Sequence, residues 1–352
     1  MSMALHQIIQ RLLLLGAQLD AAPPPPVPAP PSALAPLIES ITAAHRTFDG
    51  RAVRYGHRYR SGYWAIYVLS AVAVLFAVLP LALGWDDSRH MLHPFVGLWA
   101  VGEVLIIIAV GAIYWRGHRR DWQGQWLHAR TTAELTWYLP LVAPLVDFCR
   151  KDGNANWYLR VFDPGQHVRS AGEVEALCTR HESMAHERLE HAWSDRLFIA
   201  GYAAWTIAIL EGQQYYHQRV ASKQHALLHR VHGLNNWLFG LTGLGALMHL
   251  LVHTLWLSLI TTFFPALGAS LHGALAQSEA YRLSVTSERL VVELRGAVEQ
   301  IRATLEAATA RDSDALPDPA AVKASVQAAI ALILEEHQDW HMLVRPHRLP
   351  LA

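Results

Sequence analysis

The stretch that decides the fold is residues 234–276, LNNWLFGLTGLGALMHLLVHTLWLSLITTFFPALGASLHGALA, which holds no Lys, Arg, Asp or Glu in 43 residues. The hydrocarbon core of a bilayer is about 30 Å thick and takes about 20 apolar residues as an α-helix. A single helix of this length would be about 64 Å long. We therefore predict two spans joined by a tight turn near His253, with Pro265 kinking the second span.

Two further apolar stretches, residues 64–84 and 95–115, predict a second pair of spans. Four arginines lie between residues 51 and 60, and three lie between residues 116 and 120. Because short loops rich in Lys and Arg stay in the cytoplasm, both flanks of this pair are predicted to be cytoplasmic. The connection 85–94 then lies on the outer side of the membrane.

These patterns predict an all-α integral membrane protein with four transmembrane helices in two hairpins and a helical cytoplasmic domain. We expect a multi-pass membrane protein with both termini in the cytoplasm. Residues 197–210 are apolar but too few for a span, so we interpret them as a buried helix of the cytoplasmic domain. The predicted segments are an N-terminal helix and Pro-rich linker (1–31), a pre-membrane helix (32–62), the first hairpin (63–115), a cytoplasmic helical region (116–233), the second hairpin (234–277) and C-terminal cytoplasmic helices (278–352).

Composition excludes several classes of function. The formal net charge is zero, which does not favour duplex nucleic acid as a partner. The two cysteines, Cys149 and Cys178, fall in a region predicted to be cytoplasmic, where we interpret them as ordinary thiols. His181 and His186 with Glu182 resemble a zinc protease helix, but their i,i+5 spacing turns the imidazoles apart. No nucleophile or phosphate-loop motif occurs, so we predict no enzymatic activity and no cofactor.

Glu103 is the first candidate for a functional residue, because it lies near the middle of the second apolar stretch. A charge at the bilayer centre costs at least about 2.5–3.5 kcal/mol, so such a residue normally faces a bundle interior or water. In a homo-oligomer it would recur as an acidic ring, as in cation pores. The alternative is a protonated Glu103 hydrogen-bonded to a neighbouring helix.

His249 and His253 lie at i and i+4 within the longest apolar stretch. This spacing could present two imidazoles to a metal ion, or one imidazole to a haem. A haem would need a histidine partner on another span, and the first two spans contain none. We favour histidines at the interface or in hydrogen bonds, and we count both as candidate pore or gating residues beside Glu103.

A third group of candidates lies in the predicted cytoplasmic region. Gln214, Tyr216 and His217 form a polar and aromatic cluster shortly before the third span. Arg130 and Glu134 have the i,i+4 spacing of a local ion pair. We count all five as candidate contacts to a ligand or a partner. A contact between helices explains Gln214, Tyr216 and His217 equally well, and a local ion pair is the default for Arg130 and Glu134.

Several of these segments, taken in order, carry a resemblance. They are residues 49–61 before a span, Glu103, Trp126, Arg130, Ala133, Glu134, Gln214, Tyr216, His217, Pro265 with the following Ala-Leu-Gly-Ala, Asp339, Trp340, Arg348, Leu349 and Pro350. Their order resembles that in bacterial multi-span effectors of nucleotide-signalling conflict systems, whose relatives accompany SMODS nucleotidyltransferases and SLOG sensor domains. Thr136 stands where that pattern leads us to expect a basic residue.

This resemblance implies a membrane effector of antiviral defence that opens a pore in the inner membrane when a nucleotide signal changes. The implied partners are the lipid bilayer, further copies of the chain, and a nucleotidyltransferase product, a cyclic or linear oligonucleotide, or the synthase that makes it. Two alternatives stay open from the residues themselves. One is a non-conducting membrane scaffold that docks a cytoplasmic partner, and the other is a haem or metal protein using His249 and His253.

Overall fold

A computed structural model of the chain describes residues 4–17, 23–145, 172–174, 176–177, 189, 191–252, 254–309 and 317–344. Within these residues the chain is helical and contains no β-strand, which confirms the predicted all-α class. Short 3₁₀ turns precede the second and third helices. The helices are α1 (Leu5–Leu13), α2 (Ala35–Ala82), α3 (Val96–Arg119), α4 (Trp122–Val142), α5 (Arg196–Leu251), α6 (Trp256–Gln277), α7 (Ala280–Thr309) and α8 (Pro319–Val344).

Two long helices organise the molecule: α2 has 48 residues and α5 has 56. Helix α2 packs against α3, α4 and α6, and α5 packs against α6, α7 and, more narrowly, α8. The predicted boundaries at residues 62 and 233 are therefore not breaks in the backbone, because each long helix continues through the boundary without interruption.

The first hydrophobic core joins the N-terminal half of α5 to α4, α7 and α8. Tyr202 is fully buried there and its hydroxyl donates a 2.6 Å hydrogen bond to the Leu141 carbonyl. Leu294 on α7 and Ile330 on α8 are also fully buried. Much of the stretch 197–210 packs into this core, as predicted for a buried helix.

The second core is smaller and joins α2 to the start of α4, the middle of α5 and α6. Close helix contacts continue beyond it. A Cβ on Gly273 of α6 would lie 2.5 Å from the Tyr67 ring, and one on Gly102 of α3 would lie 2.6 Å from the Phe76 ring. Both glycines therefore allow a neighbouring aromatic ring to approach the helix backbone.

Helix α3 has a largely exposed apolar surface. Leu98, Leu105 and Ile108 are 65%, 60% and 60% exposed. Large contiguous apolar surfaces are rare on soluble monomers and indicate contact with lipid or with another protein.

Three helical stretches are long and apolar enough to cross a membrane: Ser32–Ala82, His93–Arg119 and Trp256–Ala307. The last third of α5 is not among them, since Asn235, Asn236 and His249 lower its hydropathy. Helix α5 ends at Leu251 and α6 begins at Trp256, so the helices break where the sequence predicts a turn. His253 itself lies outside the described residues.

Candidate functional site

A cavity of about 410 Å³ lies where α2, α4, α5 and the junction of α6 and α7 meet, with α1 along one side. The junction contributes Gln277, Ser278 and Glu279 to its wall. The cavity lies beside the second core, at the level where α2 changes from the arginine-rich segment to the apolar stretch 64–84.

On the α2 side of the cavity, residues of α2 pack around Trp126 of α4. Its ring stacks on Tyr59 with centroids 5.4 Å apart, and the Arg60 guanidinium lies 5.3 Å from its centroid. A Cβ on Gly56 would lie 2.8 Å from the indole Nε1, so only glycine fits this turn of α2 without a shift. Arg60 also donates from Nε to the Gly56 carbonyl at 3.2 Å. A cation over an indole is stabilised by the ring quadrupole.

The α4 side carries both signs of charge. Arg130 and Glu134 form the i,i+4 ion pair expected from their spacing. Burial alone would lower the pKa of Arg130, but Glu134 beside it produces a net rise. Tyr138, one turn further along α4, is buried, and burial together with Glu134 raises its pKa. It is therefore a neutral hydroxyl in the cavity wall.

The α5 side contributes Tyr216, His217 and Lys223. His217 is buried and its Nδ1 lies 3.3 Å from the Ser287 hydroxyl of α7. Burial, with Arg130 nearby, lowers the pKa of His217 to about 4, so the imidazole is neutral at physiological pH. Tyr216 stands edge-on to it, with ring centroids 5.0 Å apart, and is 49% exposed.

Helix α1 closes one side of the cavity, where its His6 lies beside His57 of α2. His6 is buried, its Nδ1 lies 3.1 Å from the Ser61 hydroxyl, and its ring centroid is 5.2 Å from that of His57. Burial lowers the pKa of His6 to about 3, and Arg60, His57 and Lys223 lower it further in the same direction. Burial and Arg60 also lower the pKa of His57. Both imidazoles are therefore neutral at pH 7.

The junction of α6 and α7 has an unusual backbone. Glu279 adopts a left-handed conformation with φ of 53°, which is uncommon for a residue with a side chain. Its carboxylate lies 3.6 Å from the Arg282 guanidinium, and the neighbouring Gln277 donates a 2.9 Å hydrogen bond to the Tyr59 hydroxyl. The end of α6 is thus tied directly to α2 at the cavity wall.

Four of the five predicted ligand or partner residues line this one cavity: Arg130, Glu134, Tyr216 and His217. Gln214 is not in the lining, and its side-chain nitrogen is buried with no hydrogen-bond partner among the described residues. Thr136 is fully buried, donating to the Thr132 carbonyl, so the position where a basic residue was expected lies in a packed helix interface.

The predicted pore or gating residues lie away from the cavity. Glu103 is part-exposed on α3, and its carboxylate forms no hydrogen bond or ion pair with another described residue. His249 is exposed near the end of α5. His253, its i,i+4 neighbour in the predicted pair, lies outside the described residues. Within the described residues no group of three or more potential metal ligands comes together.

Sequence reasoning missed His6, His57, Arg60 and Lys223 as cavity residues. In the sequence, Arg60 and Lys223 stand out only as basic residues that precede predicted spans. No local sequence pattern indicates that either of them lies near Trp126 or Glu279. Their convergence depends on how α1, α2 and α5 pack, which sequence periodicity does not specify.

No family model, curated protein or solved structure matches this chain. The resemblance to nucleotide-signalling effectors therefore rests on the order of short motifs alone.

Proposed function

We propose that the chain is a bacterial inner-membrane effector of antiviral defence, which assembles with further copies into an ion-conducting pore and causes depolarisation and growth arrest. A nucleotide signal or a partner protein controls it through the cavity. The main support for this proposal is that the apolar helices also form the cavity wall. Helix α2 contributes to the wall and continues into its apolar half, and α6 ends in the wall. The role in defence is supported by the motif order described above.

In this proposal four spans form two hairpins. The apolar half of α2 and helix α3 make the first, and the last third of α5 and helix α6 make the second. The basic segments of α2 and the end of α3 then face the cytoplasm, and with them the cavity and both termini.

The junction residues couple the two parts. A ligand or partner that enters the cavity contacts Gln277, Ser278 and Glu279, the link between a span and the cytoplasmic helix α7. The left-handed Glu279 is held there by its surroundings, and such backbone positions are often found at switch regions. Binding in the cavity therefore acts on the tilt of α6 directly through these junction residues.

Glu103 supplies the selectivity element of the proposed pore. It is part-exposed on a helix with a largely exposed apolar surface, where neighbouring copies would pack. In a ring of copies these carboxylates would attract cations.

Two measurements test this proposal: membrane potential in cells that express the chain, and cation flux from vesicles of phosphatidylethanolamine and phosphatidylglycerol that contain the purified protein. We expect depolarisation and flux from the wild type, and a loss of most flux for Glu103→Gln. The matched control is Glu299→Gln, an exposed carboxylate on α7, which should conduct as the wild type does. No depolarisation and no flux, or equal flux from all three proteins, would refute the pore.

A second candidate function is favoured by one feature of α7. Tyr281, Val285 and Val292 are exposed along a single face of this helix at 67%, 47% and 67%. An apolar row on a cytoplasmic helix would suit a non-conducting scaffold that docks a partner. A fixed partner that co-purifies with the wild type and is lost with Val292→Lys, without any permeability change, would favour the scaffold.

A further inference from the structure

One end of the cavity is basic and lacks a matching acid. Arg60 and Lys223 both reach it, and neither forms an ion pair with a carboxylate among the described residues. The acidic groups lie elsewhere in the wall, where Glu134 pairs with Arg130 and Glu279 pairs with Arg282. The charges of the cavity are thus separated into a paired part and an unpaired cationic part.

Arg60 disfavours the charge of Lys223. Partial burial of the ammonium, and then the nearby Arg60, lower the pKa of Lys223, although the residue as a whole is exposed. Burial lowers the pKa of Arg60, and the nearby Arg130 acts in the same direction. Like charges that lie close together destabilise a fold unless a counter-charge is present.

Two orphaned polar atoms belong to the same wall. His57 Nδ1 and Gln224 Oε1 are buried without a hydrogen-bond partner among the described residues, and both side chains line the cavity. Buried polar atoms in native proteins are almost always paired with protein, water or ligand. These atoms lie on α2 and α5, the helices that carry the two cations.

We propose that the basic end of the cavity binds a phosphate-bearing small molecule whose phosphate lies between Arg60 and Lys223. A phosphate monoester carries about two negative charges at neutral pH and several acceptor oxygens, which matches two cations better than a single carboxylate would. A volume of about 410 Å³ suits a small organic ligand.

The rest of the wall orients such a ligand. Glu134 and Glu336 also line the cavity, so the hydrogen-bond donors of the ligand would face them. Tyr216 offers an exposed aromatic ring in the same wall. The biological role of such a ligand, as the controlling signal, rests on the proposed function. The binding site itself is inferred from the charges and geometry of the cavity.

The experiment measures binding to the full-length protein in detergent micelles. Thermal unfolding is followed while ATP is added as a soluble phosphate ester, against sodium chloride at matched ionic strength. A second arm compares nanodiscs of phosphatidylcholine with nanodiscs that also contain phosphatidylglycerol, because this anionic headgroup also presents a phosphate, here a diester with one negative charge. The variants are Arg60→Gln and Lys223→Gln. The matched control is Arg219→Gln, one turn from Lys223 on α5, whose guanidinium contacts Tyr215 outside the cavity.

We expect one of the two phosphates to raise the melting temperature of the wild type and of Arg219→Gln in a saturable way. Each cavity variant should weaken that binding about tenfold or more, because a hydrogen bond between charged groups is lost. Stabilisation by ATP would indicate a soluble ligand, and stabilisation by phosphatidylglycerol alone a lipid.

If neither phosphate stabilises the protein, or if the cavity variants bind as the control does, the inference is wrong. Lys223→Gln keeps the test valid if Arg60→Gln fails to fold, because Lys223 lies on an exposed turn of α5. The assay contains no conductance measurement, so its failure would leave the pore untouched, and failure of the flux experiment would leave the binding site untouched.

Discussion

Helices α3 and α7 are both rich in apolar residues, but they place them in opposite surroundings. Leu294 on α7 is fully buried, whereas Leu105 on α3 is 60% exposed. In α7 the buried residues recur along one face, as in an ordinary amphipathic helix. In α3 apolar residues point in most directions and Gly117 is the one buried residue of the helix. In the proposed topology this difference corresponds to two surroundings, with water around α7 and lipid or other copies around α3.

The cavity lies between these two regions. Helix α2 passes from the first core through the cavity wall into its apolar half, and α5 does the same in the same chain direction. Polar and charged side chains collect where the surroundings change, and this is where a soluble signal could reach residues attached to spans.

The largest effect is expected from a cavity-forming substitution in the first core. Leu294→Ala should lower the free energy of unfolding by about 2–5 kcal/mol, because it removes a buried side chain and leaves a void. Leu105→Ala, the same change on α3, should lower it by no more than about 0.5 kcal/mol. Denaturant or thermal unfolding in detergent measures both. Equal losses would contradict the contrast between the two helices.

A charge on α3 should have the next largest effect. Ile108→Lys places an ammonium on an exposed position of the predicted span, which costs about 2.5–3.5 kcal/mol of insertion free energy. Val292→Lys makes the same change at an exposed position of α7 and should have no effect on insertion. The measurement is the fraction of each protein that stays with membranes after alkaline extraction. Normal insertion of Ile108→Lys would argue against lipid around α3.

Packing around Trp126 can be tested with two glycines of α2. Gly56→Ala should destabilise the protein by about 1–3 kcal/mol, since the added Cβ meets the indole and the Arg60 side chain. Gly50→Ala meets nothing within 4 Å and should stabilise α2 by about 0.5–1 kcal/mol. Opposite signs in thermal unfolding are the expected result, and a stabilising Gly56→Ala would show that the ring does not lie where the structure has it.

The smallest effect is a pH dependence of α1 docking. The folded pKa of His6 is about 3, below its free value of 6.5, so the undocked helix binds the proton more readily. Docking is therefore fully stable above pH 6.5 and weakens as the pH falls below it. Between pH 7.5 and 5.5 the loss is about 1.4 kcal/mol, a tenfold change in the docking equilibrium.

Hydrogen exchange of the α1 amides, corrected for the intrinsic effect of pH, measures this change. His57, Arg60 and Lys223 face His6 and stay in place in His6→Gln, which should remove most of the pH dependence. An unchanged dependence in that variant would assign it to another group.

Local sequence signals predicted much of the fold. Hydropathy and length located α3 and the break near His253, and apolar spacing located the buried start of α5. Tyr216 and His217 were predicted from their polar and aromatic character, and Arg130 and Glu134 from their i,i+4 spacing; all four line the cavity. The unbroken lengths of α2 and α5 were not predicted. A shift from polar to apolar residues along the sequence does not show whether the helix ends there or continues. Arg60 and His6 were missed since only tertiary packing brings residues so far apart in sequence together.

The most direct test of the account is the solvent around Leu105 and Val292 in a bilayer. Each is replaced by cysteine in a background without Cys149 and Cys178, and labelled with a nitroxide, and its collisions with oxygen and with a water-soluble nickel complex are compared. The account predicts that oxygen, which concentrates in lipid, dominates at position 105 and that the nickel complex dominates at position 292. Ready access of the nickel complex to position 105 would contradict it.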